Sequence, residues 1–337
     1  MYLKLIIFCM LNFPGGLLNS QPSEKPILSE QPVLPNDSTL IAFASDTQAP
    51  MWVETLWLKA NNNRQATRKV FTDIGARRPG SLFLLGDVVN LGYSNRQWKP
   101  IDGYLNELRN RKIGVYAILG NHEVMGFSKK GQAKFQARFP EHKRTGYLEI
   151  KDSVAIVLLN SNFKSLTAGE DSDQVNWYKR TLQRLDADSS IQYIITTCHH
   201  SPYTNSKIVG PSTAVQNRFV NPFLESKKSK LFLSGHCHGF EHYNIKGKDF
   251  MVIGGGGGLH QPLNEVGNCL PDLCKNYKPL FHYLTVRRSA EGLQVTSYEL
   301  KNDFSQFDIG LQFDIQNPNL PSVQYANTKV GKPELVD

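Results

Sequence analysis

The sequence predicts an α/β fold in which buried strands alternate with helices along most of the chain. Short, unbroken apolar runs recur from about residue 38 onward, as expected for strands buried on both faces. Between the first runs and those that follow them, apolar residues recur at roughly helical spacing. The C-terminal part instead has strand-like segments in succession. Alternation of this kind is typical of layered α/β domains, so we expect helices packed on sheets.

The element predictions follow from these patterns in chain order. Helices are expected within 51–76, over 98–110 and around 173–185, where bulky apolar residues recur at helical spacing. Five consecutive glycines at 254–258 follow a strand-like run, and we expect them to permit close approach or tight turning of the backbone. The predicted strands are 39–45, 81–86, 113–120, 153–160, 191–197, 230–235, a segment beginning at 250, 282–288 and 293–300.

The first 20 residues have the pattern of a secretory signal peptide. Lys4 precedes an apolar stretch of suitable length, and the small residue Ser20 precedes a polar segment, so we expect an exported protein, periplasmic or secreted. The alternatives are an ordinary buried N-terminal segment and a lipid anchor at Cys9. The expected organisation is a signal peptide at 1–20, a linker at 21–37, the main domain at 38–300 and a partly disordered C-terminal extension at 301–337.

Composition and charge restrict the class of protein. Of the 337 residues, 40% are hydrophobic, which allows a sizeable core, and no apolar run reaches the ~18 residues of a transmembrane helix. The net charge of +8 comes from scattered basic residues, and nothing resembles a nucleic-acid-binding module. The sequence contains no CxxC pair, so a zinc ribbon is not expected. Cys269 and Cys274 frame a short loop and are candidates for a disulfide in an exported protein.

Candidate ligand residues follow five of the predicted strands. Asp46, Asp87 and Asn121 come after the first three strands, and His199 and His236 come after the fifth and sixth. Ligands bind beyond the carboxyl ends of strands in open α/β sheets, so we expect these side chains to converge. Each residue alone has an ordinary explanation, such as a helix cap or a buried histidine, but five in succession favour one shared site.

The stretch LSGHCHGFEHY, residues 233–243, is the densest group of ligand chemistry. His236 and His238 are two residues apart, so in an extended loop they point to the same side and each can meet a different metal ion. Cys237 is expected to point away, and His242 to be a surface or supporting residue. Carboxylate, imidazole and amide oxygen ligands suit two close divalent ions, which stabilise the attacking and leaving oxygens of a displacement at phosphorus.

These elements, in the order D-x-(H), G-D, G-N-H-E, H and G-H-x-H, resemble the calcineurin-like metallophosphoesterases, a superfamily that includes the purple acid phosphatases. The resemblance spans about residues 40–260, and G-N-H-E and G-H-x-H are its most specific parts. The stretches HHSPYTNS and VIGGGGG are most similar to the purple acid phosphatase side of the superfamily. The resemblance implies a four-layer α/β/β/α sandwich that holds a dinuclear metal site.

The resemblance also implies a role for each residue of the motifs. Asp87 bridges the two ions and is catalytic, while His122 contacts the substrate phosphate and helps to protonate the leaving group. His199 is favoured over His200 as the ligand, because it comes first after the strand, and His200 then points towards the substrate. Glu123 either orients neighbouring loops or is a plain surface acid. The implied metal residues are Asp46, Gln48 and His238 at the first ion, Asn121, His199 and His236 at the second, and Asp87 at both.

One position departs from the family pattern. The usual first element is D-x-H, but this chain has Asp46-Thr47-Gln48. An amide oxygen is a weaker ligand than imidazole, so we expect the first ion to be held loosely, with manganese or iron accepted as readily as zinc. Tyr93 does not have a clear match to the spacing of the tyrosine ligand of purple acid phosphatases, so the purple chromophore is not predicted.

The resulting hypothesis is a metal-dependent phosphoesterase that hydrolyses small-molecule or macromolecular phosphate esters by attack of a metal-bound hydroxide. The alternative is a catalytically impaired protein of the same fold that binds phosphorylated ligands. The presence of both His122 and Asp87 favours the enzyme. A structural metal site would be closed by four ligands, fewer than the six or more candidates here. Specificity is expected to lie in loops, and the sequence favours neither monoesters nor diesters. The candidate loops are 88–100, 124–146, 201–215 and 259–280.

Overall fold

Two sheets of six strands each lie at the centre of the protein. The computed structural model describes residues 35–264, 267 and 269–316. The strands are β1 (Asp37–Ala44), β2 (Pro79–Leu84), β3 (Gly114–Ala117), β4 (Tyr147–Lys151), β5 (Val154–Leu159), β6 (Tyr193–Cys198), β7 (Ser229–Ser234), β8 (Phe240–Ile245), β9 (Lys248–Ile253), β10 (His282–Arg288), β11 (Gly292–Leu300) and β12 (Phe307–Gln316).

Both sheets are mixed, with a parallel group of strands in each. The first sheet has the order β12-β11-β10-β1-β2-β3, in which β1, β2 and β3 are parallel and β10 to β12 are antiparallel. The second has the order β4-β5-β6-β7-β9-β8, in which β5, β6, β7 and β9 are parallel and both edge strands are antiparallel. The carboxyl ends of each parallel group therefore lie along one edge of its sheet.

Helices cover the outer face of each sheet. Val70, Leu105 and Phe135, one from each of the first three long helices, share a core with the first sheet, whereas Leu182 and Phe223 share another with the second. The helices are α1 (Asn63–Arg77), α2 (Asn95–Asn110), α3 (Asn121–Val124), α4 (Ser128–Gln136), α5 (Ala168–Ala187) and α6 (Thr213–Val215), which continues through a π-helical turn (Gln216–Val220) into α7 (Asn221–Glu225).

A third core lies between the two sheets, and the alternation of side chains along the strands produces it. In β1, Ile41 and Phe43 belong to this central core, whereas Ala42 and Ala44 belong to the helix-facing core. In β5, Ile156 belongs to the central core and its neighbours on either side to the outer one. Successive side chains of a strand point to opposite faces, so these apolar runs are buried on both. The four-layer α/β/β/α arrangement is confirmed.

The predicted strands correspond to nine of the observed ones, with ends shifted by a few residues. Three strands, β4, β8 and β12, were not predicted. The last of these lies beyond the predicted domain end at 300 and pairs with β11 along most of its length, so the sheet continues to Gln316. The described residues from Asn36 onward belong to one compact unit. The predicted signal peptide, nearly all of the predicted linker and residues 317–337 lie outside the described residues.

Two further sequence expectations concern the membrane and the cysteines. None of the helices in the described part of the chain combines the length and apolar character needed to cross a membrane. Cys274 has a free thiol, which differs from the disulfide with Cys269 that the sequence suggested. The Cys274 thiol instead donates a hydrogen bond to Asp272 Oδ1 at 3.0 Å, and burial raises its pKa to about 12.

Candidate metal centre

The residues predicted to form the site follow the carboxyl ends of five parallel strands. Because both parallel groups end on the same side, the loops of the two sheets meet and bring these side chains together. Asp46 and Gln48 follow β1, Asp87 follows β2, Asn121 and His122 begin α3 after β3, His199 and His200 follow β6, and His236 and His238 follow β7.

Asp46, Gln48 and His238 form one half of the site. The Nδ1 of His238 donates to the Leu259 carbonyl at 2.8 Å, which directs Nε2 to within 3.3 Å of Asp46 Oδ1. The buried Gln48 amide has hydrogen-bond partners for both of its ends in one orientation. Its nitrogen then donates to the backbone carbonyls of Asp87 (2.7 Å) and Asp46 (3.1 Å), and its oxygen faces His238 Nε2 at 3.2 Å. Gln48 thus forms hydrogen bonds to the backbone carbonyls of both aspartates and places its side-chain oxygen beside His238.

Asp87, Asn121 and His199 form the other half. His199 donates from Nδ1 to the Leu85 carbonyl at 2.9 Å, so that its Nε2 faces the site. That Nε2 lies 3.1 Å from Asp87 Oδ2 and 3.1 Å from Asn121 Oδ1. An imidazole fixed through one nitrogen presents the other to a metal ion, and carboxylate and amide oxygens complete a suitable donor set.

His200 and His236 lie beside this second group. Their rings are 4.4 Å apart, and the His236 ring is 5.1 Å from that of His199. The Ser161 hydroxyl accepts a hydrogen bond from the His200 backbone N–H at 3.0 Å and lies 2.8 Å from its Nδ1. Ser161 was not singled out in the sequence, although it directly follows the predicted fourth strand, where the same strand-end argument applies.

His122 approaches Asp87 from the start of α3. Its backbone N–H donates to Asp87 Oδ1 at 2.8 Å, and its Nδ1 donates to the Asn90 carbonyl at 3.0 Å. Its Nε2 is 3.8 Å from Asp87 Oδ2, longer than a hydrogen bond. His122 is therefore held at the edge of the carboxylate with Nε2 facing the site.

Glu123 binds the backbone of the loops that follow β2 and β3. It is fully buried, and its carboxylate accepts hydrogen bonds from the backbone N–H groups of Asp87 (2.9 Å), Gly120 (2.8 Å) and Val89 (3.1 Å). Burial and the nearby charge of Asp87 raise the pKa of Glu123 to about 7. Glu123 is thus a loop-orienting residue, and the alternative of a plain surface acid is wrong.

Three of the candidate ligands have unusual backbone conformations. Asp46, Asp87 and His236 have φ of 58°, 49° and 67°, in the left-handed region that non-glycine residues rarely adopt. Hydrogen bonds between loops stabilise these turns, including one from the His236 N–H to Asp46 Oδ2 at 3.0 Å. Strained positions of this kind concentrate at functional sites.

The electrostatics of the site fit a cation. The donor atoms of Asp46, Asp87 and His199 lie within 4.8 Å of one another, and so do those of His199, His200 and His236. Burial alone would raise the pKa of Asp87, but the imidazoles of His199 and His122 lower it well below its usual range. Burial lowers the pKa of His199, but the negative charge of Asp87 raises it by more, so the pKa of His199 rises to about 9. Buried carboxylates therefore favour positive charge at the facing nitrogens, which a metal cation supplies by replacing protons.

Two neighbouring residues of the His236 motif are structural. Cys237 is buried, and burial raises its pKa to about 12, so it is a thiol, as expected from its inert position. His242 is not on the surface: it is buried on β8, where its Nε2 lies 2.9 Å from Asp249 Oδ1 and its ring stacks on Phe313. The spacing beyond the motif could not distinguish these environments.

The site opens into a cleft of about 380 Å³. Its floor includes Asp87, His122 and His236. Two segments supply its walls, the first through Val53, Glu54, Trp57 and Leu58 and the second through Ile208 and Val209. The second segment lies in a loop that the sequence predicted to affect specificity, whereas the first lies in a region predicted to be helical. Only a short 3-10 helix, Glu54–Leu56, forms there, and α1 begins later, at Asn63.

Comparison with known proteins identifies the relatives of this chain. Residues 39–240 match the family model described as calcineurin-like phosphoesterase. A comparison with curated proteins gives no significant match.

Three solved structures share the fold. A purple acid phosphatase from yellow lupin seeds gives a TM-score of 0.62 at 13% identity, over 87% of this chain and 58% of that chain. GAP50, described as the anchor in the inner membrane complex of Plasmodium, gives 0.61 at 14% identity, over 82% and 88%. A dimetal phosphatase from Danio rerio gives 0.52 at 12% identity, over 82% and 98%. This chain thus spans little more than half of the lupin enzyme, and identities this low indicate a common fold alone.

Proposed function

The chain belongs to the calcineurin-like phosphoesterase family, and from that premise we propose that it is a metal-dependent hydrolase of phosphate esters. The observation that carries this proposal is the convergence of Asp46, Asp87 and His199, whose donor atoms lie within 4.8 Å of one another. These residues come from both sheets, and a buried group of carboxylates and imidazoles at the base of a cleft fits divalent cations.

Two ions are proposed, with Asp87 shared between them. The two oxygens of the Asp87 carboxylate are engaged differently, since one accepts from His122 N–H and the other faces His199 Nε2. Bound divalent ions would supply a water of lowered pKa and would neutralise charge on the phosphoryl oxygens. The proposed ligands are Asp46, Gln48 and His238 at the first ion and Asn121, His199 and His236 at the second.

His122 and His200 are proposed to act on the substrate. The Nδ1–H of His122 donates to the Asn90 carbonyl, so the imidazolium form is the one that carries a second proton, on Nε2, to give to the leaving oxygen. The Ser161 hydroxyl accepts from the His200 backbone, and its own proton can go to His200 Nδ1. His200 would then carry its ring proton on Nε2 and donate it to a phosphoryl oxygen.

A phospholigand-binding protein without turnover is the second candidate. Gln48 in place of the family's histidine favours it, and so does the similarity in fold to a protein described as an anchor. The arrangement around His122 supports the enzyme instead, because a protein that only binds phosphate has no need of a proton donor beside the shared carboxylate.

Export is also proposed, on the pattern of residues 1–20 alone. Intact-mass measurement of the mature protein tests the proposal: a chain that begins near Gln21 supports export, and a retained Met1 contradicts it.

Two variants test the proposed function together. Asp87→Asn should lose both bound metal and phosphoesterase activity, because an amide cannot bridge two cations as a carboxylate does. His122→Ala should keep its metal and lose on the order of 10²–10⁴-fold in kcat, the usual contribution of a general acid. Metal analysis, circular dichroism and steady-state kinetics on both variants supply the measurements. Full turnover in Asp87→Asn would refute the shared-ligand site, and loss of metal in His122→Ala would make His122 a ligand.

A further inference from the structure

The cleft above the metal centre has apolar walls. Two segments distant in sequence supply them: Val53, Trp57 and Leu58 from one, and Ile208 and Val209 from the other. Both segments meet the same cleft that has the proposed metal and substrate residues on its floor. A group attached to a bound phosphate would therefore extend from a polar floor into apolar surroundings.

The apolar walls are partly exposed to solvent. Trp57 is 75% exposed and Ile208 is 49% exposed, which is unusual for side chains of this size at the mouth of a cleft. Exposed apolar surface that borders a groove commonly marks a ligand site, because a ligand removes it from water. Local hydrogen bonds shape the Trp57 segment, including Thr55 Oγ1 to the Trp52 carbonyl at 2.6 Å and Leu58 N–H to the Glu54 carbonyl at 2.9 Å.

The charge of the cleft excludes a heavily phosphorylated substrate. Among the described residues that line it, none is a lysine or an arginine, although the whole chain carries a net charge of +8. The acid on the wall, Glu54, accepts a hydrogen bond from the Met51 backbone N–H at 2.6 Å. Additional phosphates are normally held by arginine or lysine, so a second phosphate would have no cationic partner here.

We propose that the substrate is a phosphate ester with an apolar leaving group, such as an aryl or short alkyl alcohol, which packs against Trp57 and Ile208. This inference rests on the proposed function and specifies its substrate class. A cleft of about 380 Å³ lies at the lower end of the range for small-molecule sites, which favours a compact soluble ester over a two-chain lipid.

The reaction balances with water as the only co-reactant. Water adds to phosphorus, the bond between phosphorus and the ester oxygen breaks, and the leaving alkoxide takes a proton. The products are inorganic phosphate and an apolar alcohol. The polar product remains at the floor while the alcohol leaves along the apolar walls.

A chain-length series tests the proposal. Ethyl, butyl and octyl phosphate are compared with phosphoserine, using the full protein supplied with Mn²⁺. We expect kcat/KM to rise about 5–10-fold from ethyl to butyl phosphate, somewhat less than two fully buried methylenes would give. Trp57→Ala and Ile208→Ala should each remove most of that rise.

Trp52→Ala is the matched control. Trp52 lies on the same segment and is 78% exposed, but it is not among the residues that line the cleft. It should keep the full chain-length dependence. Equal rates for all esters, a preference for phosphoserine, or a Trp57→Ala variant that keeps the dependence would overturn the proposal. Faster cleavage of phosphatidic acid in vesicles than of butyl phosphate would replace the small ester by a lipid.

Binding of phosphonates separates this inference from the proposed function. Calorimetry compares butylphosphonate with methylphosphonate, neither of which has an ester bond to hydrolyse. Tighter binding of butylphosphonate that disappears in Trp57→Ala supports the apolar cleft, even if no ester is hydrolysed and the proposed function fails. Hydrolysis of esters with no preference for apolar groups in rate or binding leaves the function intact and overturns the inference.

Discussion

Gln48 lies where the D-x-H pattern leads us to expect histidine, and both ends of its amide have contacts in the structure. Its amide nitrogen supports the carbonyls of Asp87 and Asp46, while its oxygen faces His238 Nε2 at 3.2 Å. An imidazole at this position would offer a stronger donor to a metal ion but would lose at least one of the two backbone contacts. We therefore expect glutamine at this position to favour contacts with the loop backbone over affinity for metal.

Gln48→His should tighten the first metal position. We expect the concentration of Mn²⁺ that gives half-maximal activity to fall on the order of 10-fold, because imidazole is a better donor than an amide oxygen. Titrations of activity and of binding heat with Mn²⁺ measure the effect, and Gln48→Ala serves as the control that removes the amide without adding a donor. The same metal dependence in wild type and Gln48→His would mean that residue 48 does not reach the ion.

The sequence predicts the site residues whose position in a motif implies their surroundings. Asp46, Asp87 and His238 follow strand ends, and all three lie in the site. Ser161 follows a predicted strand, so the strand-end argument could have identified it, although its contact with His200 could not be foreseen. The true surroundings of His242 could not be predicted either, because they depend on Phe313, far along the chain.

At the scale of elements, the glycine run after β9 shapes the metal site. A Cβ atom at Gly258 would lie 2.6 Å from Cε1 of the His238 ring, far closer than any ordinary contact. The glycine therefore permits the loop to pass directly over this imidazole, which in turn is fixed by the Leu259 carbonyl. The sequence prediction of a close backbone approach at 254–258 is confirmed here.

Gly258→Ala should displace His238 and weaken metal binding. We expect an increase on the order of 10–100-fold in the Kd for Mn²⁺, comparable with the loss of a residue that orients a ligand. Calorimetry measures it, and Gly239→Ala is the control, since a Cβ there would first meet Leu263 at an ordinary 3.7 Å. Equal affinities for the two variants would show that the loop adjusts without moving His238.

Strands differ in how well their sequences predict them. β1 and β5 are continuous apolar runs because both faces are buried, and both were predicted. β4, β8 and β12 lie at sheet edges, where polar side chains interrupt the apolar pattern and pairing with a neighbour defines the strand. Trp52 and Leu56 have the spacing of a helix but are exposed, and their neighbours Val53, Trp57 and Leu58 line the cleft, so periodicity predicted the wrong element there.

At the scale of the whole molecule, two buried histidines outside the metal site make stability depend on pH. Burial lowers the pKa of His282 to about 3 and that of His142 to about 4. His142 Nδ1 has no hydrogen-bond partner among the described residues. Unfolding exposes both to water, where the pKa returns to about 6.5.

The sign of the effect follows from proton binding. Between pH 6.5 and about 4 the unfolded chain binds more protons at His142 than the folded one, so this contribution to the free energy of unfolding falls as pH falls. Between pH 7 and pH 5, His142 should account for a loss of about 2 kcal/mol. Urea unfolding at both pH values compares wild type with His142→Phe, whose ring suits a pocket between Phe135 and Tyr147. Equal losses in the two proteins would contradict the prediction.

We propose that one cluster of residues from both sheets holds the metal ions on which the phosphoesterase activity of this protein depends. The most direct measurement is hydrolysis of a phosphate ester by chelator-treated protein during titration with Mn²⁺, with bound metal determined at each point. We expect no activity in the chelated protein, recovery as metal is added, and saturation at about two ions per chain. Activity that survives complete removal of metal, or two tightly bound ions with no hydrolysis of any phosphate ester, would contradict the account.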